Sequence, residues 1–194
     1  MEATTPRPAG QRLTLADHQF LGQELGRLRY EPLEVADRCA AGHPRVVLGF
    51  YSPKPGGTVS ATLYWLTCGA LRTAISRLEA NGSIGRMERL MAGDPELARQ
   101  FAQDQTAYRE RALAVMAREL PGRDPARLLG RVRGVAGVAD ARFVKCLHAH
   151  VACTLATGLG PVGARVLEEL GFARQSDGRW FARACGGDKP AEVP

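Results

Sequence analysis

The sequence predicts an α+β protein: a small antiparallel three-stranded sheet covered by several helices, with a helix-rich C-terminal two-thirds. Three observations predict it. Between Leu33 and Thr67, β-branched and aromatic residues alternate with polar ones. After Cys68 the apolar period lengthens to that of a helix, and the breaks carry helix caps rather than hairpin turns. The chain is 45% hydrophobic but only 6% aromatic, a mix that suits helices packed through small side chains. A chain of 194 residues is long enough to bury a real core.

Residues 1–12 and 184–194 hold Pro, Gly and charge with no hydrophobic period, and are expected as disordered tails flanking a single domain over 13–183. Thr14 to Leu28 has helical spacing, with Thr14 as cap and Asp17 three residues later as a capping-box partner. The strands follow. Leu33 and Val35 belong to the first, Val46 to Tyr51 to the second and Val59 to Thr67 to the third. The turns are Ala41-Gly42-His43-Pro44 and Ser52-Pro53-Lys54-Pro55-Gly56-Gly57. Ala61 to Thr67 is apolar on both faces, which reads as a central strand.

Helices are expected over 70–80, ended by Asn81-Gly82, and over 84–91. Asp94-Pro95 opens a long one to Leu120, stopped by Pro121-Gly122, and Asp124-Pro125 opens a short one to Leu129. Gly130 to Asp140 is Gly-rich and reads as a loop or irregular strand that lets backbone come close to something, the site being one candidate. It matches no dinucleotide or Walker pattern. Helices over 141–157 and 161–170 follow, and Asp177-Gly178 centres a terminal hairpin over 172–181.

The net charge is +6, which permits attraction to anions without demanding it. There is no run of five basic residues and no basic stripe interleaved with aromatics. The first ten residues lack the apolar core of a signal peptide, and no stretch of about 18 apolar residues marks a membrane span, so a cytoplasmic protein is expected. In a reducing compartment five cysteines read as thiols or metal ligands before disulfides.

The chemistry concentrates in Arg142 to Cys153, which carries two of the five cysteines and two of the four histidines. On a helix Cys146 and His150 lie about 40° apart around the axis and about 6 Å along it, so both reach one point. His148 is about 200° from Cys146 and points elsewhere, unless the helix starts after His148. Cys39 precedes a Gly-bearing turn, as in half of a zinc knuckle, with His43 at C-x3-H spacing. Cys68 stands at a helix N-terminus, where a thiolate is favoured. Cys39, Cys68, Cys146 and His150 together form a Cys3His set, which zinc favours. Cys153 and Cys185 read as ordinary small apolar residues, and His18 and His43 as surface residues. A metal-free reading makes Cys68 a nucleophile with His150 or His148 as base. Arg133, Arg142 and Lys145 adjoin this stretch as candidate anion contacts. A third reading, a basic adaptor or nucleic-acid-associated protein, uses the positive charge and the helix 95–120.

Cys39 with Gly42-x-Pro44, then Thr62-Leu63-Tyr64-Trp65-Leu66-Thr67-Cys68, then Val144-Lys145-Cys146-Leu147-His148-Ala149-His150, then Gly158 and Pro161-Val162-Gly163 carry a resemblance. In these blocks the chain resembles the bacterial family catalogued as domain of unknown function 501, over about residues 18–172. The resemblance implies no activity. It implies that Cys39, Cys68, Cys146 and the histidines serve one site. Gly69 and Gly160 depart from the proline and asparagine that family members often carry there, and the loss of the asparagine removes a polar side chain near the site.

Overall fold

The computed structural model describes residues 10–26, 31–50, 62–130, 132–140 and 142–182. Residues 1–9 and 184–194 of the expected tails, with Cys185, fall outside them, as does residue 183. So do the end of the first expected helix, the second strand turn and the start of the third strand.

The main sheet has four antiparallel strands rather than three, in the order β1 (Gln11–Arg12), β2 (Glu31–Arg38), β3 (Pro44–Phe50), β4 (Tyr64–Leu66). The added strand is β1, which lies inside the expected N-terminal tail. Two exposed polar residues carry no pattern, and Gln11 pairs with Val35 through backbone groups alone. Strand β3 is the buried centre: its residues from Pro44 to Gly49 are all buried. Its register places Val47 opposite Val35 on one side and opposite Trp65 on the other.

Strand β4 is an edge strand among the described residues, not the central one that its apolarity suggests. Its apolar faces are explained by what covers them. A helix packs against it, and the edge amide of Leu63 donates to the Tyr108 hydroxyl at 2.8 Å. Both devices remove the exposed edge that such a strand would otherwise present.

The helices are α1 (Leu15–Leu25), α2 (Gly69–Ala80), α3 (Ser83–Gly93), α4 (Pro95–Glu119), α5 (Pro125–Leu129), α6 (Leu147–Thr157) and α7 (Pro161–Glu169). The capping box at α1 is present in both directions, with Thr14 and Asp17 exchanging backbone and side-chain bonds. Asp17 does more: its two oxygens accept from Arg38 at 2.7 and 2.9 Å, which ties α1 to β2. Asp94 and Asp124 cap α4 and α5, each followed by the proline at the first helical position. A short hairpin, β5 (Ala173–Arg174) and β6 (Trp180–Phe181), closes the described chain. The buried Arg45 anchors it, donating to the Trp180 carbonyl at 2.9 Å while pairing with Asp37 at 2.5 Å.

Helix α6 is the core of the molecule. Nine of its residues, from Leu147 and from Ala149 through Ala156, are buried. A helix that is apolar all round must be covered all round, and α6 packs against β4, α7, α2 and the 3-10 turn at Val135–Gly137. Its closest neighbour is α7. A Cβ at Gly163 would lie 2.5 Å from the His150 carbonyl oxygen, so only glycine fits that crossing. The Gly-rich loop also makes a close approach, but its partner is Gln105 of α4. Val135 donates its N–H to the Gln105 Oε1 at 2.6 Å, and a Cβ at Gly134 would meet that same oxygen at 2.1 Å. No helix among the described residues is long and apolar enough to cross a membrane.

Candidate metal centre

Helix α6 begins at Leu147, six residues later than the apolar period suggests. Cys146 is its N-cap, with extended backbone at φ −156° and ψ 118°. Two carboxylates hold the preceding segment out of the helix. Glu88 of α3 accepts the Val144 N–H at 3.2 Å, and Glu79 of α2 accepts the Leu147 N–H at 2.6 Å. Once these amides are engaged from outside, the helix has no reason to extend backward.

That late start decides the site. Cys146 is not helical, so the i, i+4 geometry linking it to His150 does not apply. Instead the cysteine at the cap and the histidine two residues on meet: the Cys146 Sγ lies 3.9 Å from the His148 Nδ1. The same Nδ1 lies 3.3 Å from the Glu79 Oε1. Glu79, Cys146 and His148 each offer one ligand atom, all within 4.8 Å of one another, and all three residues are half-buried. The group is of a kind that can hold a metal ion. Its members stand in the last turn of α2 and at the first turn of α6.

The other ring nitrogen is also placed. His148 Nε2 lies 3.1 Å from the Arg72 carbonyl oxygen and 3.3 Å from the Ser76 hydroxyl. A carbonyl only accepts, so this contact places a proton on Nε2. Ser76 and Glu79 thus flank opposite nitrogens, as in a serine triad. That role needs Nε2 unprotonated against a carbonyl, which the Arg72 contact disfavours. The Cys146 sulfur raises the His148 pKa; burial opposes this, and the Arg72 carbonyl and Glu79 assist it.

The expected quartet is not gathered. Cys146 belongs to the group; Cys39, Cys68 and His150 do not. Cys39 closes the β2–β3 hairpin, where the turn amides serve the hairpin itself: Cys39 N–H donates to the His43 carbonyl and Gly42 N–H to the Cys39 carbonyl. Gly42 takes the left-handed φ of 82° that this turn needs. His43 stacks on Phe20 with ring centroids 4.6 Å apart. Cys68 is the N-cap of α2 as expected, but the Gly69 amide beside it already donates to the Glu24 carboxylate at 2.8 Å.

His150 is 2% exposed and packs on Phe101, with its Nε2 unpartnered among the described residues. Burial lowers its pKa to about 4, so it is a neutral core residue. Cys153 is buried too, and its thiol is pushed up to about 12. His18 is exposed, as the sequence suggests.

The spacing of cysteines and histidines cannot single out Glu79. A different signal marks it. It sits in the last turn of α2, where the helix dipole disfavours an anion, so another contact must hold it there.

The sequence model of the family described as "Protein of unknown function (DUF501)" matches residues 35–168. That span contains Glu79, Cys146 and His148. No curated protein and no solved structure matches the chain.

Proposed function

This chain belongs to the DUF501 family, and we propose that it is a metal-binding member whose Glu79, Cys146 and His148 hold a single zinc-class ion. One observation carries the reading: the sulfur and the carboxylate face the same imidazole nitrogen. In a thiol–imidazole–carboxylate triad the two would flank opposite nitrogens. Here Sγ and Oε1 converge on Nδ1, at 3.9 and 3.3 Å. Ligand atoms around a tetrahedral zinc are separated by roughly 3.3–3.6 Å.

The surroundings support the reading. A ligating histidine usually gives its other N–H to a backbone carbonyl, and here Arg72 supplies one. The Leu147 amide orients Glu79. One sulfur, one nitrogen and one oxygen donor suit zinc better than magnesium or calcium. Three protein ligands leave a fourth position open, as in hydrolytic or sensing sites rather than closed structural ones.

The test is metal content. Protein purified without chelator should retain about one zinc per chain, and titration of apo-protein with cobalt should give a thiolate-to-metal absorption band. Cys146→Ser and His148→Ala should each abolish both. Absence of retained metal, together with no cobalt band, would sink the proposal. It would leave Cys146 and His148 as a thiol–imidazole pair.

A further inference from the structure

We infer that the Cys146 sulfur is a site of oxidation by hydrogen peroxide, and that its conversion to the sulfenic acid releases the ion from the group. The inference rests on the metal reading above. Among the described residues the group holds one sulfur, the other two ligand atoms being a carboxylate oxygen of Glu79 and a ring nitrogen of His148. A cysteine sulfur on a metal is a thiolate, the form that attacks a peroxide. Solvent reaches the group: the side chains of His148 and Glu79 are 25% and 24% exposed, and their ligand atoms lie within 4.8 Å of the sulfur. Oxidation takes away the soft donor and leaves one nitrogen and one oxygen, fewer protein ligands than even an open zinc site uses.

The surroundings make the change local and reversible. Cys146 is the N-cap of α6, yet its side chain bonds none of the helix amides. The Leu147 amide is held by Glu79 instead, and the His148 ring by the Arg72 carbonyl and the Ser76 hydroxyl. Both remaining ligands therefore keep their places when the sulfur is altered, ready to take the ion again. In the step itself the thiolate attacks one peroxide oxygen and the O–O bond breaks. The second oxygen leaves as hydroxide and takes a proton to become water; the sulfur is oxidised by two electrons and the peroxide reduced by two. No second cysteine of the group stands ready to form an internal disulfide. Cys39 and Cys68 lie outside the group, and Cys153 is buried in α6 with its sulfur 3.7 Å from the Thr157 hydroxyl. The way back is an external low-molecular-weight thiol. One molecule forms a mixed disulfide with loss of water, and a second releases the Cys146 thiol.

The experiment uses the full chain loaded with zinc and exposed to hydrogen peroxide in the presence of dimedone, which traps sulfenic acids. A chromogenic chelator reads the zinc released, and peptide mass spectrometry reads the modified residue. Zinc should leave in step with the appearance of the dimedone adduct on Cys146, with the circular dichroism of the helices unchanged. Without dimedone, excess dithiothreitol should restore both the Cys146 thiol and the zinc content. The double variant Cys39→Ser with Cys68→Ser should release zinc at the wild-type rate. Zinc retained while Cys146 carries the adduct overturns the inference, as does zinc released with Cys146 unmodified or only as the helices unfold. So does a double variant that no longer responds, since another cysteine would then be the one oxidised. A chain that takes up no zinc overturns the metal reading itself, and this inference with it.

Discussion

Glu79 reaches from the last turn of α2 to accept the Leu147 amide at 2.6 Å, with the same oxygen 3.3 Å from His148 Nδ1. One carboxylate thus starts helix α6 and completes the ligand group beneath it. Glu79→Gln keeps the amide contact through its carbonyl oxygen but removes the charge. The variant should stay folded and lose more than tenfold in zinc affinity, measured by competition with a chromogenic chelator. His150→Leu, Cys39→Ser and Cys68→Ser should leave the affinity unchanged. Loss of metal in any of these three would restore the wider Cys3His arrangement.

Gly163 lies at a helix crossing that leaves no room for a side chain. Adding one methyl there meets the Thr154 Oγ1 at 2.2 Å and the His150 carbonyl at 2.5 Å, and the backbone group cannot swing aside. Gly163→Ala should therefore destabilise the protein by about 2 kcal/mol, a fall in Tm of roughly 4–8 °C for a chain of this size. Gly93→Ala, with open space at its Cβ, is the matched control and should change little. Equal melting temperatures for the two variants would show that α7 lifts freely from α6.

Much of this architecture is legible in sequence where a local rule acts alone. The caps at Thr14, Asp94 and Asp124 stand where their side chains bond the first helical amides. The terminal hairpin turns at Gly178, as Asp177-Gly178 suggests. What sequence hides is decided by distant partners. Strand β1 exists because β2 offers it an edge. Helix α6 starts late because carboxylates 68 and 56 positions away take the Leu147 amide and the Val144 amide before it. Cys146 and His148 were both legible as candidates, but their pairing depends on that start, and Glu79 on a contact that no spacing encodes. Cysteine content drew Cys39 and Cys68 into the expected site; they stand at a hairpin turn and at a helix cap, outside the group of Glu79, Cys146 and His148.

Arg45 is 3% exposed along its side chain and Asp37 is 6% exposed. Removing one partner of such a pair leaves an uncompensated buried charge. Asp37→Ala should cost about 3–5 kcal/mol in urea unfolding. The double variant Asp37→Ala with Arg45→Met should recover a large share of that loss, since no isolated charge remains. If the double variant is as unstable as the sum of its parts, Arg45 acts through its contacts to Trp180 and Phe172 rather than through the ion pair.

The pH response should centre on Asp17. The Arg38 guanidinium holds its carboxyl well below the usual value of 3.8; burial opposes this, and the Thr14 amide and hydroxyl assist it. A depressed folded pKa means that the unfolded chain binds the proton more readily. The stabilisation is therefore complete above the ordinary carboxylate range and is lost as pH falls through and below about 4. Asp17→Asn should cost about 2 kcal/mol at pH 7, and its stability curve should be flatter than wild type between pH 5 and pH 2. Parallel curves would show that other carboxylates carry the acid response.

The burial of α6 has a consequence for how the protein should respond to an ion at the proposed site. A helix sealed on every side by strand and helix neighbours cannot fray or open without dismantling those neighbours. Its amides should exchange with solvent only through global unfolding. Two of the three ligands sit at the mouth of this sealed element, so an ion bound there cannot be released by local melting of α6. Ligation should then raise the protection of the whole core by one common increment, about 2.7 kcal/mol at a hundredfold excess over Kd. The deepest amides of α6, far from the ion, would report its arrival as faithfully as Leu147 beside it.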